Sequence, residues 1–322
     1  MSQKPLVVDC GATGNQGGAV VDALLAAGKW RVAALIRKPE RGRRLAERGV
    51  ELRQGDLTIE SSLVAAFSSA HAVFGVTQPW TANYRRSDTE QALRQGRALV
   101  GACRAIGRPL IFSSAFLIDE KPTGIPHVDS KLELEAYIRR TGPAAVILGP
   151  ASFMDNIGMN FFPIKKGKVR GFVDADAKVP FVACRDIGRA AAGVLEDFPR
   201  HAGKRYNLIS GVYSGLDICA TLSRLRHGET FRWSAPPRLL MRLFAKEFYK
   251  MRLAFETMGR SPFPTASMKR SRPLPHSLVS QRHLSNICAE KAIRHWGLSR
   301  DKAAKFAAKP FEIILLAQSI AK

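Results

Sequence analysis

Acidic side chains are scarce in this chain. Against 50 Lys and Arg stand only 27 Asp and Glu, a formal charge of +23 over 322 residues. The deficit is uneven: residues 1–200 carry 28 basic and 20 acidic side chains, residues 201–322 carry 22 and 7. Such a field favours anionic partners (phosphorylated cofactors, nucleic acid, acidic membranes), and it equally describes a solvated basic surface. Zinc-finger spacing, an RNP segment and a regular basic–aromatic array are all missing, so no specific nucleic-acid partner is expected. Long apolar runs are missing too. No stretch reaches the ~20 residues of a membrane span, and the tail FEIILLAQSIAK is too short for one. The opening MSQKPLVVDC has neither the apolar core nor the cleavage site of a secretory leader. The five cysteines (Cys10, Cys103, Cys184, Cys219, Cys288) form no C-x-x-C pair, which suits reduced, packed thiols in the cytoplasm. Internal repeats are absent.

What is present is a rhythm. With 46% hydrophobic residues the chain can bury a substantial core. Its first half alternates apolar strand-like runs (PLVVDC, WRVAALI, VELRQ, AVFGVT, RPLIFSSA, AAVILGP) with helix-like segments such as AVVDALLAAG, SSLVAAFSSA and SKLELEAYIRRTG. Strands separated by helices of that length imply βαβ crossovers. The expected fold is α/β: a doubly wound parallel-sheet Rossmann domain over residues 1–150, strand order 3-2-1-4-5-6. After Pro150 the rhythm loosens into FMDNIGMNFF, VPFVA, DIGRAAAGVLEDF, RYNLIS and an amphipathic stretch around LLMRLFAKEFYKMRLAFE. Residues 151–322 are expected to form a smaller, mainly helical substrate or partner domain, partly interleaved with the first.

Between the first strand and the first helix stands GATGNQGG, a G-x-x-G-x-x-G pattern in Gly11, Gly14 and Gly17. One glycine serves a tight turn, one close approach of backbone to a pyrophosphate, one contact between helix and sheet. The helix start at Asn15 offers N–H groups and a positive dipole end to phosphate. Gly11, Thr13, Gly14, Asn15, Gln16 and Gly17 are therefore candidate dinucleotide contacts. The second strand ends in Arg37 and Lys38, where a protein preferring NAD carries an acid for the ribose hydroxyls. A guanidinium and an ammonium there suit a 2′-phosphate, so the expected cofactor is NADP(H); the alternative is an exposed basic loop. Asp56, with Leu57, follows the third strand, where a carboxylate can accept from an adenine amino group or serve as a turn or cap. Asp9 is out of place: it sits inside the first strand, where a parallel sheet wants apolar residues.

Taken together, GATGNQGG, ALIRKPE, GDL, HVDSKLELEAYIR, PASFMDNI and VPFVACRDIGRAA resemble the NmrA-like family, atypical short-chain dehydrogenase/reductases. The resemblance implies a Rossmann domain with a small C-terminal domain. It implies either an NADPH-dependent oxidoreductase passing hydride to a small apolar or aromatic acceptor, quinone-like or a conjugated carbonyl, or a non-enzymatic NADP(H) redox-sensing regulator acting on a protein partner. The Tyr-x-x-x-Lys pair of ordinary relatives is missing: none of Tyr84, Tyr137, Tyr206, Tyr213 or Tyr249 has Lys four residues on. The matching pair is His127-x-x-x-Lys131, which share a helix face. The resemblance makes Lys131 a ribose or nicotinamide contact, the alternative being a surface lysine. His127 becomes a candidate proton donor or a solvent histidine. Thr77 and Gln78 after the fourth strand, and Ser113 and Ser114 ending the fifth, should line the cofactor cleft. Phe153 and Asn156 follow the sixth strand as candidate nicotinamide contacts, Phe153 and Met154 being equally suited to interdomain core. Trp80 either walls the pocket or packs. The stretch after Met251 has too few acids and too many prolines for the family's usual last helices.

Overall fold

A computed structural model describes residues 3–81, 87–116, 122–159, 161–225 and 229–260. The chain opens with β1 (Leu6–Asp9) and α1 (Asn15–Ala27), then β2 (Arg31–Ile36), the short α2 (Arg43–Ala46) and β3 (Glu51–Gln54). It continues with α3 (Glu60–Phe67), β4 (Ala72–Val76), α4 (Thr89–Ala105), β5 (Leu110–Ser113), α5 (Pro126–Thr141) and β6 (Ala145–Pro150). There the chain leaves the first unit and builds β7 (Ser152–Phe153), β8 (Ile164–Lys165), β9 (Lys168–Arg170) and β10 (Val179–Val182) of a second. It returns for α6 (Cys184–Glu196), α7 (Phe198–His201) and β11 (Arg205–Leu208), and leaves again for β12 (Gly211–Tyr213), α8 (Gly215–Leu225), β13 (Arg232–Ser234), α9 (Arg238–Phe244) and α10 (Lys246–Arg260).

In the first unit seven strands run parallel in the order β11-β6-β5-β4-β1-β2-β3. The expected 3-2-1-4-5-6 core is all there. The seventh strand, RYNL, pairs with β6 (Tyr206 opposite Leu148), so a segment from beyond Pro150 extends the sheet of the first unit. Strand alternation puts Leu6, Val8 and Cys10 on the face covered by α3, α4 and α5, in a core with Leu63, Phe67, Leu99, Leu134 and Ile138. Val7 and Asp9 point to the opposite face, where α1 packs along α6. The two helices come very close: a Cβ on Gly188 would lie 2.2 Å from the Ala19 carbonyl oxygen. The helix signals are conventional. Asp88 accepts from Gln91 N–H at 2.9 Å to cap α4, and Gly28 closes α1 with φ +66°.

The second unit holds two three-stranded sheets, β12-β10-β7 and β13-β9-β8, which the expectation of a mainly helical domain lacked. They share an aromatic core of Phe162, Phe172, Phe181 and Phe231 with Met154, Ile218 and Met241. LLMRLFAKEFYKMRLAFE is helical but broken at Ala245, between α9 and α10. Of the proline-rich stretch after Met251, residues 261–322, Cys288 among them, lie outside the described residues; the thiols of Cys10, Cys103, Cys184 and Cys219 are buried.

Candidate functional site

The site grows from the carboxyl ends of β1, β4 and β5, where ligands of open α/β sheets lie. The glycine loop leaves β1 and turns tightly, Gly14 N–H donating to the Gly11 carbonyl at 2.8 Å. Gly17 has no room for a side chain: its Cβ would stand 2.1 Å from the Gly11 carbonyl carbon. Gly14 is different. Its Cβ would meet only the Gly11 carbonyl oxygen, at 3.4 Å, and beyond that the space is open. The amino end of α1 has no side-chain cap and no acid in its first turn. Thr13, Gly14 and Asn15 are exposed there and Gln16 is half-buried. An open glycine cradle at an uncapped, acid-free helix start fits a pyrophosphate.

Gln16 is drawn across the sheet end, its side-chain carbonyl accepting from the Ser113 hydroxyl at 2.8 Å. Beneath that bond lies Lys131 of α5. It is buried, only 6% exposed, so the surface-lysine alternative falls. Its Nζ donates to Thr77 Oγ1 at 2.8 Å, to the Ser113 carbonyl at 3.1 Å and to the Thr77 carbonyl at 3.3 Å. The ammonium also stands 5.1 Å from the centre of the Phe112 ring. Burial pulls its pKa down to about 7, partly opposed by the charge of Glu135 one turn along. Gln16, Thr77, Ser113 and Lys131 thus form one cluster. Gln78 is exposed beside it, its backbone N–H held by the Gln95 side chain at 2.9 Å.

His127 lies one turn before Lys131, half-buried, its ring 4.8 Å from that of Trp80. Trp80 therefore packs on the candidate proton donor. Ser114 has another occupation. Its hydroxyl donates to Glu135 Oε1 at 2.5 Å. The fully buried Glu135 also binds Arg205 Nε of β11 at 3.1 Å and Arg139 at 2.8 Å. Arg205 in turn donates to the Ala115 carbonyl at 2.6 Å. Sequence reasoning missed Glu135, Arg205 and Gln95, because charged and amide side chains on an amphipathic helix (Glu135, Gln95) or at the start of a short strand (Arg205) read as solvated.

At the other end of the loop Arg37 and Lys38 are exposed after β2. Asp56 forms an Asx turn: Oδ1 accepts from Thr58 N–H at 2.8 Å and Thr58 Oγ1 at 2.7 Å. These bonds, and more weakly Arg37, hold its carboxyl below the usual range. Leu57 beside it packs partly against the core. Phe153 and Asn156 belong to the second unit, Phe153 in β7 opposite Val182 and Asn156 ending a 3₁₀ turn. Asp9 is fully buried under the loop. One oxygen accepts from Gly11 N–H at 2.6 Å; the other meets no donor among the described residues. Burial raises its pKa to about 7.

This arrangement, a phosphate cradle leading to a buried lysine at the sheet edge, is that of a dinucleotide-binding Rossmann protein. The chain belongs to the NmrA-like family, whose profile matches residues 3–291. Quinone oxidoreductase 2 of Escherichia coli (strain K12) is 25% identical over 206 residues, 63% of this chain and 68% of that protein. The NAD(P)H azoreductase of Xenophilus azovorans is 27% identical over 221 residues, 68% and 73% of the two. Among solved structures, the Citrobacter sp. triphenylmethane reductase complexed with NADP(H) superposes with TM-score 0.64 at 23% identity, over 86% of this chain and 95% of that one. At that identity the likeness speaks for the fold.

Proposed function

We propose that the chain is an NADP(H)-dependent oxidoreductase that reduces a small apolar or aromatic acceptor of the quinone or azo type. The observation that carries this reading is Lys131: a buried ammonium with three oxygen partners at the carboxyl end of the sheet, two hydrogen bonds away from the glycine loop through Ser113 and Gln16. When bound, the dinucleotide supplies the hydride. Gly14 and the start of α1 would take its pyrophosphate, and Arg37 with Lys38 its 2′-phosphate. Lys131 would hold the ribose beside the nicotinamide. With its pKa near neutrality it also holds a proton it can give up there. His127, braced by Trp80, is the second donor in reach of an acceptor at this edge. Acceptors that take protons from water need neither, which suits the missing tyrosine.

The test is NADPH oxidation over a panel of quinones, azo dyes and triphenylmethane dyes, with Lys131→Ala alongside. The reading expects consumption with at least one class and a fall of about 10²–10⁴ in the variant if Lys131 acts as acid. NADPH binding without oxidation by any acceptor would make the chain a binder rather than an enzyme.

A further inference from the structure

The function proposed above leaves one feature of the second unit unused. Helix α9 exposes Leu239 (66%), Leu240 (49%), Leu243 (57%) and Phe244 (83%). At 3.6 residues per turn these four cover an arc of roughly 140°. Met241 points the other way and is buried, and it anchors the helix: Arg252 of α10 touches its sulfur at 3.7 Å. Arg252 is itself fixed by Glu256 at 2.7 Å and by Asp174. The apolar arc is thus held outward by its own underside.

Two further observations say what meets it. The first is an apolar cleft of about 390 Å³ lined by Phe161, Phe172, Leu240, Phe244 and Phe248, with Arg170 at its edge. Leu240 and Phe244 belong both to the cleft wall and to the exposed arc, so the cleft opens on that face. The second is the sign of the surroundings. Arg242 and Lys246 are exposed on and just after α9. Arg170, which lines the cleft, belongs to β9, and its sheet carries exposed Lys165, Lys168 and Arg232, with exposed Lys166 in the β8–β9 turn. Exposed leucines and a phenylalanine together with exposed lysine and arginine on the same helix and on the sheet that lines the cleft are the composition of a surface that lies in the interface of an anionic bilayer. A polyanion such as RNA would use the basic ring and leave the leucines in water.

We propose that the α9 face docks this protein peripherally on an anionic lipid surface, with the apolar cleft opening toward the acyl layer. This is independent of the oxidoreductase reading, and either can fail alone.

The experiment is vesicle flotation of the full chain with phosphatidylcholine alone and with phosphatidylcholine plus phosphatidylglycerol. Two variants accompany it, Leu243→Ser/Phe244→Ser and Arg242→Glu/Lys246→Glu, each checked for a native thermal transition. Partition onto the anionic vesicles should be about tenfold or more above that onto neutral ones and should weaken with salt. Each double variant should lose about tenfold. The proposal is overturned if the wild type stays off both vesicles. It is also overturned if the Leu243/Phe244 variant floats like the wild type, which leaves only polyanion attraction. A third contrary result is that the same variant abolishes self-association in sedimentation while vesicle binding persists, which makes the face a contact between copies.

Discussion

At Asp9 a carboxyl group is sealed beneath the glycine loop with one oxygen satisfied and no donor among the described residues for the other. The residues opposite it on the neighbouring strands, Ala34 and Phe74, carry no charge. Burial therefore dominates, and the group keeps its proton up to about pH 7 in the fold, against 3.8 as its ordinary value. The sign of the stability effect follows. Well below pH 3.8 both folded and unfolded chains are protonated, and Asp9 imposes no penalty. As pH rises toward 7 the unfolded chain ionises first, so folding loses about 1.4 kcal/mol per pH unit; above 7 the loss is constant. Asp9→Asn removes this dependence while an amide oxygen still accepts from Gly11. Relative to that variant, the wild type should lose about 3 kcal/mol of unfolding free energy between pH 5 and pH 8. Denaturant titrations at the two pH values measure it. A difference between the two proteins that is the same at both would mean that Asp9 is not sealed as described. Lys131 is the complementary case, a buried cation pulled down toward neutrality. Its burial was not legible in the sequence: HVDSK reads as a half-exposed helix start. Only the pairing of β4 with β5 brings Thr77 and Ser113 to the same amine.

The same loop separates two kinds of glycine at the level of elements. Gly17 lets α1 seat against the loop backbone, and nothing near its would-be Cβ can move aside, because the neighbours are the carbonyl of Gly11 and the nitrogen of Ala12. Gly17→Ala should therefore destabilise the fold by roughly 1–3 kcal/mol, visible as a lower melting temperature. Gly14→Val meets little of the protein and should melt near the wild type. It should nonetheless lose dinucleotide binding, because its side chain fills the cradle. If Gly14→Val bound NADPH normally, the cradle would have another use. The strand order and this loop were readable because period, turn chemistry and helix caps are local signals. The seventh strand was not. RYNL gains its place only by pairing with Ala145–Pro150 after the chain has built half of another unit. The buried Glu135–Arg205 pair spans 70 residues, and neither residue announces a partner. Gly188 likewise owes its place to a distant partner, the backbone of Ala19, on which α6 is seated.

For the whole molecule, charge and architecture pull in one direction. A net charge of +23 concentrates anions near the surface, and the open glycine cradle proposed for a pyrophosphate has the matching preference. The second unit's basic rim and apolar face extend the preference to larger anionic surfaces. The chain's membership of the NmrA-like family agrees with the fold that its first 150 residues announce. Arg37 and Lys38, which we propose set cofactor choice, are exposed after β2 and open to direct measurement. Calorimetric titration of the full chain with NADPH and with NADH tests the central claim. NADPH should bind more tightly by about 1.5–3 kcal/mol, the worth of a charge-assisted contact to phosphate, with most of that margin lost in Arg37→Ala. Equal affinity for the two dinucleotides, or heat from neither, would contradict it.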